Sequence, residues 1–205
     1  SDFLFVGVKP QQLPSVLSDL KAHLQPQTIL VSIAAGVSIQ KIQSLIAPCT
    51  NAVARVMPNT PARVGVGVSA VAFSENTAAE ARERILELLG AAGRSLVVEE
   101  KLMNAVTAVS GSGPAYVFLF IEALADAGVR QGLPRDVAHI LALETVRGAA
   151  CLMRESGLHP AVLKDQVTSP GGTTIAALEA LEAGGLRSAV FQAVSAATRR
   201  AEELG

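Results

Sequence analysis

Ser169–Thr174, with the sequence Ser-Pro-Gly-Gly-Thr-Thr, has the composition of a small-anion pocket. It comes directly before an apolar stretch with helical spacing, and the first turn of a helix has unpaired backbone N–H groups at the positive end of the helix dipole. Gly171 and Gly172 let the main chain approach a ligand closely, while the hydroxyls of Thr173 and Thr174 donate or accept hydrogen bonds. We therefore expect a carboxylate or phosphate to bind here.

A structural interpretation of the same segment stays open. In that case Ser169 caps the helix, Pro170 occupies its first position, and the glycines only shape a turn.

Three further segments follow apolar runs of strand length. Gly7–Pro10 has a lysine and a proline, Ala34–Val37 has small residues, and Met57–Pro61 has a polar pair between two prolines. Ligands of open parallel sheets bind beyond the carboxyl ends of the strands, so Lys9 at such an end would reach a phosphate or ribose. Taken singly, each segment is equally an ordinary loop or turn.

Short β-rich runs alternate with helical ones up to Val98, and this alternation predicts an α/β layer with a mostly parallel sheet. The predicted strands are Phe3–Val8, Thr28–Ile33, Ala52–Met57, Ser69–Phe73 and Ser95–Val98. The predicted helices between them are Leu13–Leu24, Ser38–Ile46 and Thr77–Leu89.

From Glu99 onward the pattern is helical throughout. We therefore expect two domains, residues 1–98 and residues 99–205, the second all-helical. Its predicted helices are Ala115–Gln131, Arg135–Glu155, Thr174–Glu182 and Gly185–Glu203.

The composition bears on partners. Half of the residues are hydrophobic and only 17% are charged, which favours an oligomer with apolar subunit interfaces; a monomeric bundle is the open alternative. With a net charge of −1 and no basic stripe, nucleic acid is not an expected partner. The apolar window Ala115–Ala125, interrupted by Glu122, predicts a buried helix rather than a membrane span.

Residues that often bind metals or act as nucleophiles are isolated in this sequence. Cys49 and Cys151 stand far apart in apolar surroundings, which predicts free buried thiols in a reducing compartment. No histidine has metal-ligand spacing, so no metal is predicted. No nucleophile and base pair can be assembled, and this favours a reaction in which a cofactor does the chemistry.

Five segments in this order resemble the successive signatures of the pyrroline-5-carboxylate reductase family, whose members reduce a cyclic imine to L-proline in the last step of proline biosynthesis. The likeness covers essentially the whole chain. The segments are Val8–Pro10, Ala34–Val37, Met57–Pro61, Ser110–Tyr116 and Ser169–Thr174.

The resemblance implies an α/β Rossmann-type domain that binds NADPH or NADH, followed by an all-α helical dimerisation domain that commonly builds a homodecamer from five dimers. The cofactor contacts that it implies are Gly7, Val8, Lys9, Pro10, Ile33, Ala34, Ala35 and Gln166, the last being more often Asn in the family. Those that it implies for the substrate are Glu100, Ser169, Gly171, Gly172, Thr173 and Thr174. Thr174 would act in catalysis by hydrogen-bonding the ring nitrogen.

The front of the chain departs from the family. Ser1 and Asp2 lead straight into the first predicted strand, and no Gly-x-Gly-x-x-Gly turn precedes them. We expect a chain that lacks the glycine-rich part of the Rossmann domain, binds NAD(P)H poorly and is inactive by itself. The preference between NADH and NADPH stays open, and the cytoplasm is the expected location, with mitochondria as the alternative.

The sequence leaves two rival functions open. A β-hydroxyacid dehydrogenase or imine reductase shares the domain order, but the helix of residues 116–131 has no lysine to act in catalysis. A non-catalytic oligomerisation or interaction protein would explain the Ala-rich helices equally well.

Overall fold

A computed structural model describes residues 2–204, and its first half is built on one sheet of five strands in the order β1-β2-β3-β4-β5. All five predicted strands are present: the first three are shorter than predicted, and the last two begin two residues earlier. They are β1 Phe3–Val6, β2 Ile29–Ser32, β3 Val53–Met57, β4 Gly67–Phe73 and β5 Gly93–Val97.

Helices cover both faces of this sheet, because successive side chains of each strand point to opposite faces. On β2, Leu30 packs with Leu17 and Ile42 on one face, whereas Val31 packs with Ile85 on the other. The three helices are α1 Leu13–Leu20, α2 Ile39–Ile46 and α3 Ala79–Gly90. The resulting three layers are those of a Rossmann-type α/β fold.

One strand pair differs from the expected parallel arrangement. The pairs β1–β2, β2–β3 and β4–β5 are parallel, but β3 and β4 are antiparallel. A short 3-10 helix, Thr60–Val64, joins them in place of a crossover helix, since Pro58 and Pro61 disfavour a longer helix. Asn59 stabilises this reversal, because its Oδ1 accepts a hydrogen bond from the Val68 N–H at 2.9 Å.

The second half is helical, as predicted. A four-residue helix, α4 Met103–Val106, continues through a π-helical turn, Thr107–Gly111, towards α5. The longer helices are α5 Gly113–Arg130, α6 Arg135–Ser156, α8 Thr173–Ala183 and α9 Leu186–Glu203. The short α7 Pro160–Gln166 was not predicted; it begins at a proline and is capped by His159.

Contacts divide the chain into two compact units. Residues up to Pro114 and from Ala193 onward form one unit, and Ala115–Gln192 form the other. The second unit has little core of its own: the buried Ile121, Ala125 and Ala142 form one small cluster.

The prediction that Ala115–Ala125 is a buried helix is wrong for the single chain. Phe118 and Leu119 are 64% and 66% exposed, so these side chains of α5 are left largely uncovered by residues 2–204. Among the described residues, one continuous helical stretch, Glu100–Arg130, is long and apolar enough to cross a membrane by length and composition alone. Interface helices of soluble proteins share both properties.

The expected burial of the two cysteines holds only in part. Cys49 is partly buried, with its Sγ 3.5 Å from the carbonyl oxygen of Lys21. Cys151 is exposed on α6.

The close approach of β4 and β5 generates a stability prediction. Gly93 has φ +140°, and a Cβ added there would collide with the backbone of Gly67. Gly93→Ala is therefore expected to lower the free energy of unfolding by at least ~2 kcal/mol, measured by urea denaturation.

Gly90→Ala is the matched control. A Cβ at Gly90 meets nothing within 4 Å, so this variant should stay within about 1 kcal/mol of the parent. Equal unfolding midpoints for the two variants would contradict the packing argument.

Candidate active site

The carboxyl ends of β1 and β2 bring together the first two groups of predicted cofactor residues. The strands run parallel with Val6 beside Ser32, so Gly7–Pro10 and Ile33–Ala35 leave the sheet side by side. A Cβ on Gly7 would lie 3.3 Å from the Ile33 Cδ1, which shows that the two segments touch.

The loop after β2 is held at both ends by hydroxyl groups. The Ser32 Oγ accepts a hydrogen bond from the Ala34 N–H at 3.3 Å, and the Ser38 Oγ caps α2 by accepting from the Lys41 N–H at 3.1 Å. Between them Gly36 has φ +79°, a conformation that favours glycine. Ala34 is buried, whereas Ile33 is 40% exposed. The loop is thus an apolar segment, held in place by hydrogen bonds, at the carboxyl end of β2.

Lys9 follows Gly7, the residue that touches Ile33, by two positions in the chain. It is exposed at the start of a short 3-10 helix, Pro10–Gln12, and no carboxylate within residues 2–204 forms an ion pair with it. Its ammonium group is therefore available to an anion.

Glu100 forms hydrogen bonds with two other segments of the first unit. Its Oε1 accepts hydrogen bonds from the backbone N–H of Ile39 at 2.7 Å and from the Arg55 guanidinium at 3.2 Å. Sequence reasoning missed Arg55, although a lone arginine in the apolar strand Val53–Met57 is a detectable signal. A buried charge requires a partner, and Glu100 supplies it.

The predicted anion pocket belongs to the second unit. The Gly172 N–H donates to the Ser169 carbonyl at 3.1 Å, which closes a tight turn in which Gly171 has φ +66°. Helix α8 then begins at Thr173, with Gly172 as its N-cap and no capping side chain.

The helix-capping part of the structural interpretation is wrong, whereas the glycines do shape a turn, as that interpretation also predicts. Ser169 does not cap α8 and Pro170 is not its first residue, because the turn inserts Gly171 and Gly172 between them and the helix. A Cβ on Gly172 would collide with the Ser169 Oγ, so a side chain there would force that hydroxyl to move. The first N–H groups of α8 are left without a capping side chain, beside two threonine hydroxyls.

The predicted residues fall into two groups that belong to different units. Gly7–Pro10, Ile33–Ala35 and Glu100 belong to the first unit, and Gln166 and Ser169–Thr174 belong to the second. Gln166 is the exposed last residue of α7. That the two groups meet in one site stays a prediction.

The segments Met57–Pro61 and Ser110–Tyr116 make contacts that stabilise the fold. In the Met-Pro-Asn-Thr-Pro segment, the side-chain oxygen of Asn59 accepts a hydrogen bond from the Val68 N–H on β4, while Thr60 is exposed. Gly111 packs against Met57, whose Cε would lie 2.5 Å from a Cβ added at Gly111. In the part of the chain that the structure describes, no three His, Cys, Asp or Glu residues are grouped to hold a metal ion.

Comparisons with known proteins agree on one family. Residues 100–204 match the family described as pyrroline-5-carboxylate reductase dimerisation. The pyrroline-5-carboxylate reductase of Synechocystis is 50% identical over the whole chain, which covers 76% of that relative.

Two solved structures are also similar over the whole chain. The Plasmodium falciparum pyrroline carboxylate reductase with NADP bound has a TM-score of 0.91 at 36% identity, and this chain covers 77% of it. The Coxiella burnetii pyrroline-5-carboxylate reductase has a TM-score of 0.94 at 35% identity, with 76% of it covered. The match to a dimerisation family over residues 100–204 also indicates that the chain forms a homo-oligomer through its helical half. The chain belongs to the pyrroline-5-carboxylate reductase family.

Proposed function

We propose that this protein is an oxidoreductase that reduces 1-pyrroline-5-carboxylate to L-proline with a hydride from NADPH or NADH, the final step of proline biosynthesis. The observation that carries the proposal is the uncapped N-terminus of α8, which presents unpaired N–H groups and two threonine hydroxyls where a small carboxylate would bind. The relatives named for this activity share the whole length of the chain.

The ends of β1 and β2 suit a dinucleotide. Gly7 has no side chain, Ala34 and Ala35 are small, and exposed Lys9 offers a positive charge, so Gly7–Pro10 and Ile33–Ala35 would hold the cofactor together with Gln166. When bound, the cofactor supplies the hydride. These residues would orient the cofactor and exclude water from one of its faces.

The substrate residues would act mainly by orientation. Ser169, Gly171, Gly172 and Thr173 would bind the carboxylate and the ring at the start of α8, and Thr174 would hydrogen-bond the ring nitrogen. A protonated imine already accepts hydride readily, and good orientation alone lowers a barrier by up to about 7–11 kcal/mol.

Residues 1–98 would serve as the nucleotide-binding domain and residues 99–205 as the dimerisation and substrate-binding domain. The exposed apolar residues of α5 and α6 would pack against a second copy, and five dimers would form a decamer. This interface accounts for the apolar stretch Glu100–Arg130 without a membrane. The proposed location of the protein is the cytoplasm.

The direct test is reduction of pyrroline-5-carboxylate by the full-length protein, monitored through the oxidation of NADPH and of NADH. Formation of L-proline with either cofactor supports the proposal. An oligomer that binds neither cofactor nor L-proline would favour an interaction protein instead, and turnover of other imines only would favour a related imine reductase.

The role of Thr174 predicts a hydroxyl-dependent rate. Thr174→Val keeps the shape but removes the hydroxyl, and kcat/KM for pyrroline-5-carboxylate should fall about 10- to 100-fold, the effect of losing a hydrogen bond to a charged group. Thr174→Ser restores the hydroxyl and should remain within roughly threefold of the parent. Steady-state kinetics on folded protein checks both, and an unchanged kcat/KM in Thr174→Val would contradict the role.

The exposed face of α5 predicts a charge-sensitive assembly. Phe118→Asp places a carboxylate where the second copy would pack, so the mass measured by analytical ultracentrifugation should fall toward that of a single chain. Leu88→Asp on α3 changes an apolar residue that is 51% exposed outside residues 100–204, and this variant should keep the parental mass. An unchanged mass for Phe118→Asp would place the interface elsewhere.

A further inference from the structure

Glu100 links three separate segments of the sheet-containing unit. Through one carboxylate oxygen it joins the first residue of α2, Ile39, to Arg55 on the central strand β3. We refer to Ile39, Arg55 and Glu100 as the Glu100 clamp. Glu100 itself begins a short 3-10 helix, Glu100–Leu102, shortly after β5.

Both bonds of the clamp have a reason to be strong. The Arg55 side chain is 9% exposed, so its charge is largely removed from water and depends on the carboxylate. The carboxylate also lies at the N-terminus of α2, where the helix dipole favours a negative charge. Bonds between charged and polar groups are shorter and stronger than neutral ones.

The clamp acts on the same helix start as the Ser38 cap. Ser38 satisfies the N–H of Lys41, and Glu100 satisfies that of Ile39, so two side chains hold the first turn of α2. The loop that precedes this turn runs from Ile33 to Ser38, and its other end is anchored by Ser32. The position of α2 therefore determines the backbone of the loop.

We propose that Glu100 is a positioning residue for the cofactor: by fixing the start of α2 on β3, the Glu100 clamp holds the loop Ile33–Ser38 in the shape that NAD(P)H meets. The proposal rests on the proposed function, which assigns Ile33, Ala34 and Ala35 to the cofactor. It differs from direct substrate binding by Glu100, which would have to use the other carboxylate oxygen, since the Oε1 already accepts from two donors. A preorganised loop binds its ligand more tightly, since less order has to be acquired on binding.

Three variants and one control test the clamp in the full-length protein. Glu100→Gln keeps an acceptor for Ile39 but removes the charge that Arg55 faces, and Glu100→Ala removes both. The double variant Arg55→Met with Glu100→Ala also removes the unpaired buried charge, so it separates loop positioning from the cost of burying Arg55 alone. Glu99→Gln is the control, because Glu99 is exposed and its ion pair within the described part of the chain is with neighbouring Lys101.

The first measurement is amide hydrogen exchange over residues 33–46 without cofactor. Exchange at Ile39 and in the preceding loop should speed up in Glu100→Ala and in the double variant, less so in Glu100→Gln, and not in Glu99→Gln. Unchanged exchange in Glu100→Ala would overturn the clamp, whatever the enzyme's activity.

The second measurement separates cofactor from substrate effects. The Kd of NADPH, measured by fluorescence titration, should rise roughly tenfold in Glu100→Ala and in the double variant and two- to threefold in Glu100→Gln. The KM for pyrroline-5-carboxylate at saturating NADPH should change less than about twofold. A raised KM for the imine with an unchanged Kd for NADPH would overturn positioning in favour of direct substrate binding.

The two proposals fail in different ways. A parent protein that binds NADPH but does not reduce the imine contradicts the proposed function, while the exchange and Kd measurements still decide on the clamp. A parent that reduces the imine, with Glu100→Ala binding NADPH as tightly as the parent, overturns the clamp alone.

Discussion

The helices of residues 115–192 have more apolar surface than the single chain can cover, and much of the structure depends on how this surface is buried. One small cluster around Ile121 is the core of this unit, while Phe118, Leu119 and Phe191 are largely exposed. Large exposed apolar faces are costly in water, so helices of this kind are stable only against a partner surface. Assembly is thus part of the fold of this half, in agreement with its match to a dimerisation family.

The sheet-containing unit solves the same problem within one chain. Both faces of its sheet are covered by helices, and its central side chains, such as Leu30 and Val31, are fully buried. This rigid layer lets short loops present small residues and backbone groups at the strand ends. Chemistry that requires few protein side chains fits such a scaffold, because the cofactor carries the reactive group and the protein supplies orientation.

The starts of helices α2 and α8 differ in how their backbone N–H groups are satisfied. The start of α2 is satisfied internally by Ser38 and Glu100, so it is a structural terminus. The start of α8 follows a glycine turn and has no capping side chain. The same physical property of a helix terminus therefore stabilises the fold at α2 and, in the proposed function, would bind the substrate carboxylate at α8.

The sequence alone predicted the strands, the long helices and the segments with unusual residues, because apolar periodicity and glycine or proline positions are local properties. It did not predict the antiparallel pair β3–β4, the turn that displaces Ser169 from the helix cap, or the exposure of α5. Each of these depends on contacts between residues far apart in the chain or on a second copy. The pairing of Glu100 with Arg55 and Ile39 is likewise a tertiary result, since strand order and helix placement bring these groups within hydrogen-bonding distance and no local spacing encodes it.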